Sequence, residues 1–194
     1  MEENMYLSLI ILAILVLISV LVLACYNSLV RVEERVKEAW SDITVQLKYR
    51  ADLVPNIVET VKAYAKHEKT VFSDITKARS ATMSAQAGDI EQIAKADDAM
   101  TKALSRIMAV AEAYPDLKAN DNFAILQQQL QDVEDKLQAS RRFYNTTAKD
   151  LNTKIRLFPT NLINNAFLHF QPHSYFELDK GETQRISQAP EVKF

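Results

Sequence analysis

The side chains able to do chemistry are few and poorly spaced for it. His67-Glu68 has the start of a zinc-hydrolase helix, which needs a second His four residues on, on the same face, with the Glu as general base. The position four on is Val71, so the pair reads as polar surface in mid-helix. His169 and His173 are also four apart, but Pro172 lies between them and no third ligand is near in sequence. Two glycines, Gly88 and Gly181, cannot build a phosphate-cradling loop, and no serine sits in the strand-turn-helix setting of an activated nucleophile. The one cysteine, Cys25, has no partner for an internal disulfide and no His beside it. Carboxylates alternate with cations as on a solvated helix face. These residues point to no catalysis, no metal and no cofactor.

The elements that would position them are more informative. Between Asn4 and Val30 no residue is charged, and of Leu7 to Cys25 fourteen are Leu, Ile or Val. About twenty helical residues rise roughly 30 Å, the thickness of a hydrocarbon core. At about −0.3 to −0.6 kcal/mol for each of those fourteen, insertion is favoured by roughly 4 to 8 kcal/mol. Residues 6–25 therefore read as a transmembrane helix after a short N-terminus, 1–5. A signal peptide would need a basic n-region and a shorter apolar stretch, whereas this chain starts Met1-Glu2-Glu3-Asn4. No Lys or Arg precedes the run, and Arg31, Arg35 and Lys37 follow it. That asymmetry places the N-terminus outside and the domain in the cytoplasm. Val22-Leu23-Ala24-Cys25 offers the alternative of a lipoprotein cleaved before Cys25, with the domain outside.

The remainder is long enough for one domain with its own core. The chain has 25 acidic residues, two of which, Glu2 and Glu3, precede the apolar run, against 23 basic ones. The part beyond the run is thus formally neutral and lacks the basic face of a nucleic-acid binder.

Apolar residues from Asn27 on fall on helical stripes. The first holds Leu29, Val32, Val36, Ala39, Trp40, Ile43 and Leu47. Asp52 looks like an N-cap with Pro55 in the next first turn, or Pro55 kinks one longer helix; either way a bend is expected near residue 51. A second helix is expected from Leu53 to Ala85 with Ile57, Val61, Tyr64, Val71, Ile75 and Ala78 on one face, broken at Ala87-Gly88-Asp89. The third stripe, Ile90, Ile93, Asp97, Met100, Leu104, Ile107, Ala111 and Tyr114, is interrupted only by Asp97 and closed by Pro115. The longest helix is expected from Phe123 to Phe158, with Leu130, Leu137, Tyr144, Leu151 and Phe158 every seven residues and Pro159 after it. The row through Leu126, Val133, Ala148 and Ile155 slips by one, which suits a straight helix in a bundle better than a long supercoil. No segment shows a period of two. The fold class is all-α: an N-terminal transmembrane helix continuous with an antiparallel bundle of about four long helices, the bundle domain spanning 26–178. Phe167, Phe170, Tyr175 and Phe176 crowd into ten residues, suited either to packing across the bundle end or to lipid or partner contact. Residues 179–194 turn polar and read as a disordered tail.

Several strings resemble the LemA family: Tyr26-Asn27 after the anchor, Ala39-Trp40-Ser41, Val45-Gln46-Leu47-Lys48, Asp52-Leu53-Val54-Pro55-Asn56, Tyr64-Ala65-Lys66-His67-Glu68, Ala119-Asn120-Asp121-Asn122-Phe123, Tyr144-Asn145 and Phe158-Pro159-Thr160-Asn161. The resemblance covers nearly the whole chain up to about Phe176. It implies a bacterial single-pass protein of the cytoplasmic membrane with a helical-bundle domain, no enzymatic activity, and loose links to membrane organisation and envelope stress, magnetosome formation included. Tyr49 departs from a basic residue, and His169 from a glycine ahead of Phe170. Asn120 and Asn122 would cap the fourth helix, while Asn56 and Asn145 would hydrogen-bond between helices or subunits. The leading expectation is a scaffold that self-assembles as a homo-oligomer or holds a membrane-protein partner at the lipid bilayer. The alternative is an adaptor or regulator of a membrane-bound protease or transporter.

Overall fold

The computed structural model describes residues 2–85 and 89–177, and every regular element among them is helical. They are α1 (Glu2–Tyr64), α2 (Lys69–Ala85), α3 (Ile90–Glu112), α4 (Pro115–Lys118), α5 (Asp121–Lys154) and α6 (Thr160–Ile163), followed by a π-helical turn, Asn164–Leu168. The chain is an all-α helical bundle with a long apolar N-terminal helix. The expected break at Ala87-Gly88 and the disordered tail at 179–194 lie outside the described residues.

α1 is one helix of 63 residues. Its first part is apolar, with a mean hydropathy of 3.3 over its best window and none of that window buried, which makes it one candidate membrane span. From Leu29 on the same helix carries a buried stripe, Leu29, Val32, Val36, Ala39, Ile43, Leu47 and Ala51, that continues through Val54, Ile57 and Val61.

The chain divides into two compact units. One draws on residues up to Ala39 and on Tyr144–Ser174. Within it α5 runs antiparallel to α1. Asn152 bonds the backbone of His173, whose ring meets Glu33, while two residues further on Lys154 Nζ lies 2.9 Å from Ser28 Oγ, five residues nearer the N-terminus.

The other unit draws on Trp40–Phe143 and the described residues from Tyr175. Its core is a cluster from α1, α2, α3, α4 and α5 that includes Ile57, Val61, Ile75, Met100, Ile107, Leu117, Phe123 and Val133. Asp89 caps α3 by accepting from Gln92 N at 2.9 Å. Pro115 follows the end of α3 and opens the one-turn α4, a position where the N–H that proline lacks would have had no helical partner.

Three boundaries differ from the sequence reading. The chain does not break near residue 51, and the second helix does not start at Leu53. Asp52 pairs with Lys48 at 2.6 Å, and α1 runs through Pro55 to Tyr64. A proline at 55 leaves the Ala51 carbonyl without its helical donor, and Arg79 Nε, from α2, donates to that carbonyl at 3.0 Å. The chain turns instead at 65–68, so His67 and Glu68 lie in a turn and not in mid-helix. At the other end α5 stops at Lys154, short of Phe158, where Thr160 Oγ1 turns back to donate to the carbonyls of Lys154 and Leu157.

The Arg79–Ala51 bond yields a double-mutant expectation. Arg79→Met leaves a fully buried carbonyl bare and costs about 1–3 kcal/mol. In a Pro55→Ala background the helix supplies its own donor, and the same change costs less than half as much. Thermal unfolding of the detergent-solubilised chain, followed by circular dichroism, checks this; equal losses in both backgrounds would refute the compensation.

Candidate functional site

The highest concentration of charge in the protein interior lies in the larger unit. Arg50 falls on the buried stripe of α1, three residues after Leu47 and four before Val54, and has no exposed surface. Its guanidinium ion-pairs with Asp97 of α3, and Nη1 donates to Glu134 Oε2 of α5 at 2.8 Å and to Thr101 Oγ1 at 3.2 Å. Nη2 also reaches the Asp97 carbonyl at 3.3 Å. Arg141, two turns along α5 from Glu134, pairs with the other Asp97 oxygen and stacks over the ring of Phe176 at 5.2 Å. Burial pushes the Asp97 carboxyl above the usual range, and the Arg50 and Arg141 guanidiniums pull it back down. The carboxylates are consumed by cations, and Nε of both arginines is buried without a partner. Such a cluster ties helices together and presents no group poised to transfer a proton or attack a substrate.

Beside it α3 and α5 leave an open groove of about 310 Å³, with Leu104, Met108 and Leu130 as apolar lining and Thr101, Ser105, Gln127, Gln131 and Glu134 around them. No group of three metal-binding side chains comes together among the described residues.

The smaller unit holds a second polar knot. Tyr144 is buried, donates its hydroxyl to the Ser174 carbonyl at 3.0 Å, and has its pKa pushed up to about 12 by burial and by Glu33. The phenol therefore stays protonated and serves as a donor. His173 Nε2–H donates to Glu33 Oε2 at 3.1 Å, and the Asn152 side chain bonds both backbone groups of His173, at 2.8 and 2.9 Å. Asn164 clasps Phe170 in the same way, at 2.9 and 3.1 Å. Inside the second clasp, just ahead of Phe170, His169 has φ 56°, in the left-handed region where glycine sits without strain.

The residues singled out from the sequence scatter rather than converge. Tyr26 and Asn27 are exposed on α1 just past the apolar run, Trp40 is half-buried, and Asn56 is exposed with its carbonyl taken by Thr60 Oγ1. Asn120 Oδ1 accepts from Phe123 N at 3.0 Å at the start of α5, and its amide donates to Tyr64 Oη at 3.1 Å. Asn122 is exposed in that first turn and Asn145 is half-buried. Phe176 is buried over Arg141 and Phe170 is half-buried, while Phe158 and Phe167 are exposed. Sequence reasoning missed Arg50, Arg79, Arg141, Glu33, Asn152 and Asn164. For Arg50 a signal existed, a cation on an apolar stripe; for the others local spacing carried none.

Among known proteins, the sequence profile described as the LemA family matches residues 39–194. Magnetosome protein MamQ 2 and magnetosome protein MamQ 1 of Paramagnetospirillum magneticum are each 28% identical over 188 residues, covering 84% of this chain and 68% of the relative. Protein LemA of Metamycoplasma hominis is 28% identical over 142 residues, 71% of this chain and 62% of the relative.

Two stability expectations follow from these contacts. Arg50→Met leaves Asp97 to Arg141 alone and Glu134 without its Arg50 bond, and destabilises by about 3–5 kcal/mol. Adding Asp97→Leu together with Arg141→Met recovers much of that loss, because apolar side chains then replace the buried ionic cluster rather than part of it; chemical unfolding in detergent reads both. His169→Gly relieves a left-handed cost of about 1–2 kcal/mol against about 0.4–1 kcal/mol of added chain entropy, so the unfolding midpoint should rise slightly.

Proposed function

The chain belongs to the LemA family, and from that premise we propose that it is a non-enzymatic helical scaffold, anchored in the bacterial cytoplasmic membrane, that self-assembles through its bundle. The observation that carries this reading is α1. It leaves its first part wholly exposed and apolar, then buries a stripe along the same unbroken helix. An exposed apolar run of that length belongs in a bilayer, so the helix is anchor and bundle member at once. The cations Arg31, Arg35 and Lys37 favour a cytoplasmic bundle with the N-terminus outside.

The interior carboxylates support a non-enzymatic role, since Asp97 and Glu134 are held by Arg50 and Arg141 and are not left free to act on a substrate. The groove between α3 and α5, with Met108 in its lining, fits apolar side chains of another helix. Relatives named as magnetosome proteins support a role at a membrane.

Native mass spectrometry of the detergent-extracted protein tests the reading. A dimer or larger species is expected, with Met108→Glu shifting it toward monomer while the helical circular dichroism is kept. A strict monomer that also yields no crosslinked neighbour in membranes overturns it. Stoichiometric co-purification with one membrane enzyme would replace the scaffold with an adaptor.

A further inference from the structure

We propose that the lobe after α5 is a lipid-contacting wedge, inserting Leu157, Phe158, Leu162 and Phe167 into the bilayer that holds the apolar run of α1. The inference rests on the anchor reading above and adds a second contact with the same membrane. The lobe is held from inside by Ile155 and Ile163, both buried, and by the hydroxyl of Thr160. Its outer side leaves Leu157 55%, Phe158 78%, Leu162 56% and Phe167 63% exposed. Four large apolar side chains bare within eleven residues are a patch that water disfavours.

Its depth is set within the unit that contains it. Lys154 meets Ser28, three residues or about 4.5 Å past Cys25 along the helix. Because α5 runs antiparallel to α1 there, the chain beyond Lys154 continues toward the apolar run and away from Glu33. Tyr26, exposed on α1, stands at the same level, where an aromatic suits the bilayer interface.

The charges agree. Arg31, Lys154 and Arg156 surround this level, and no carboxylate occurs in 25–32 or in 155–168. Cations with long apolar stems reach anionic headgroups while their neighbours sink. The patch thus follows directly on the level at which the apolar run of α1 ends, and is framed by the charge that a lipid surface demands.

Site-directed spin labelling tests the wedge in the full chain, in a Cys25→Ser background, reconstituted in nanodiscs of phosphatidylethanolamine and phosphatidylglycerol. Single labels go at Phe158→Cys and Phe167→Cys, with Leu12→Cys as the reference inside the span. Glu38→Cys, about 20 Å past Cys25 along α1, serves as the aqueous reference. Collisions with oxygen should exceed those with a water-soluble nickel reagent several-fold at 158 and 167, as at 12, and the order should invert at 38. Nickel access at 158 and 167 matching that at 38, with 12 still in lipid, overturns the wedge and leaves the anchor standing. Shielding from both reagents also overturns it, since a second copy of the chain would then cover the patch. Nickel access at 12 itself would remove the anchor on which the inference depends.

Discussion

A guanidinium with no exposed surface sits where three helices meet, and the register of the larger unit depends on it. Arg50 comes from α1, Asp97 from α3, and Glu134 and Arg141 from α5. Such a network is a modest source of stability, because removing the charges from water costs several kcal/mol apiece. Its effect is on alternatives. Sliding any one of these helices by a turn would leave a buried charge facing apolar side chains, whereas the apolar cluster around it would tolerate the shift. The unpartnered Nε atoms of Arg50 and Arg141 show that even the native arrangement is a compromise.

A second constraint acts on the same helix one turn later. Pro55 would ordinarily end or kink α1, and Asp52 ahead of it offers a plausible cap for a new helix. The helix goes on because Arg79 supplies the hydrogen bond that the proline removes. Both devices use an arginine from a distant part of the sequence to make an otherwise unfavourable local feature tolerable. The uninterrupted helix is therefore a tertiary achievement, not a local one.

This explains what was legible in the sequence and what was not. Apolar spacing identified the buried stripe from Leu29 to Leu47 and nearly all of that from Ile93 to Ala111, because burial on one face is a local, periodic property. It exposed Asp97 as a flaw in a seam but gave no partner, since Arg50 lies 47 residues away and periodicity says nothing about which stripe faces which. It misplaced the turn at residue 51 because cap chemistry was read without the Arg79 donor. It also carried α5 on to Phe158, because the seven-residue spacing continues past Lys154 although the Thr160 hydroxyl has already taken up the last carbonyls. Of the candidate site residues, the aromatic ones were visible as a cluster, while their division into buried Phe176 and exposed Phe158 and Phe167 was not.

The two asparagine clasps have a wider consequence. Asn152 and Asn164 hold His173 and Phe170 entirely through main-chain atoms, one amide group answering both the N–H and the C=O of a residue in irregular chain. Recognition of that kind is blind to the side chain of the residue held. The path of the return segment is thereby separated from its composition: the clasps themselves leave residues 170 and 173 open to substitution while the route past α5 stays fixed. A stretch of chain without regular structure can then drift in sequence toward new contacts without first having to relearn its fold.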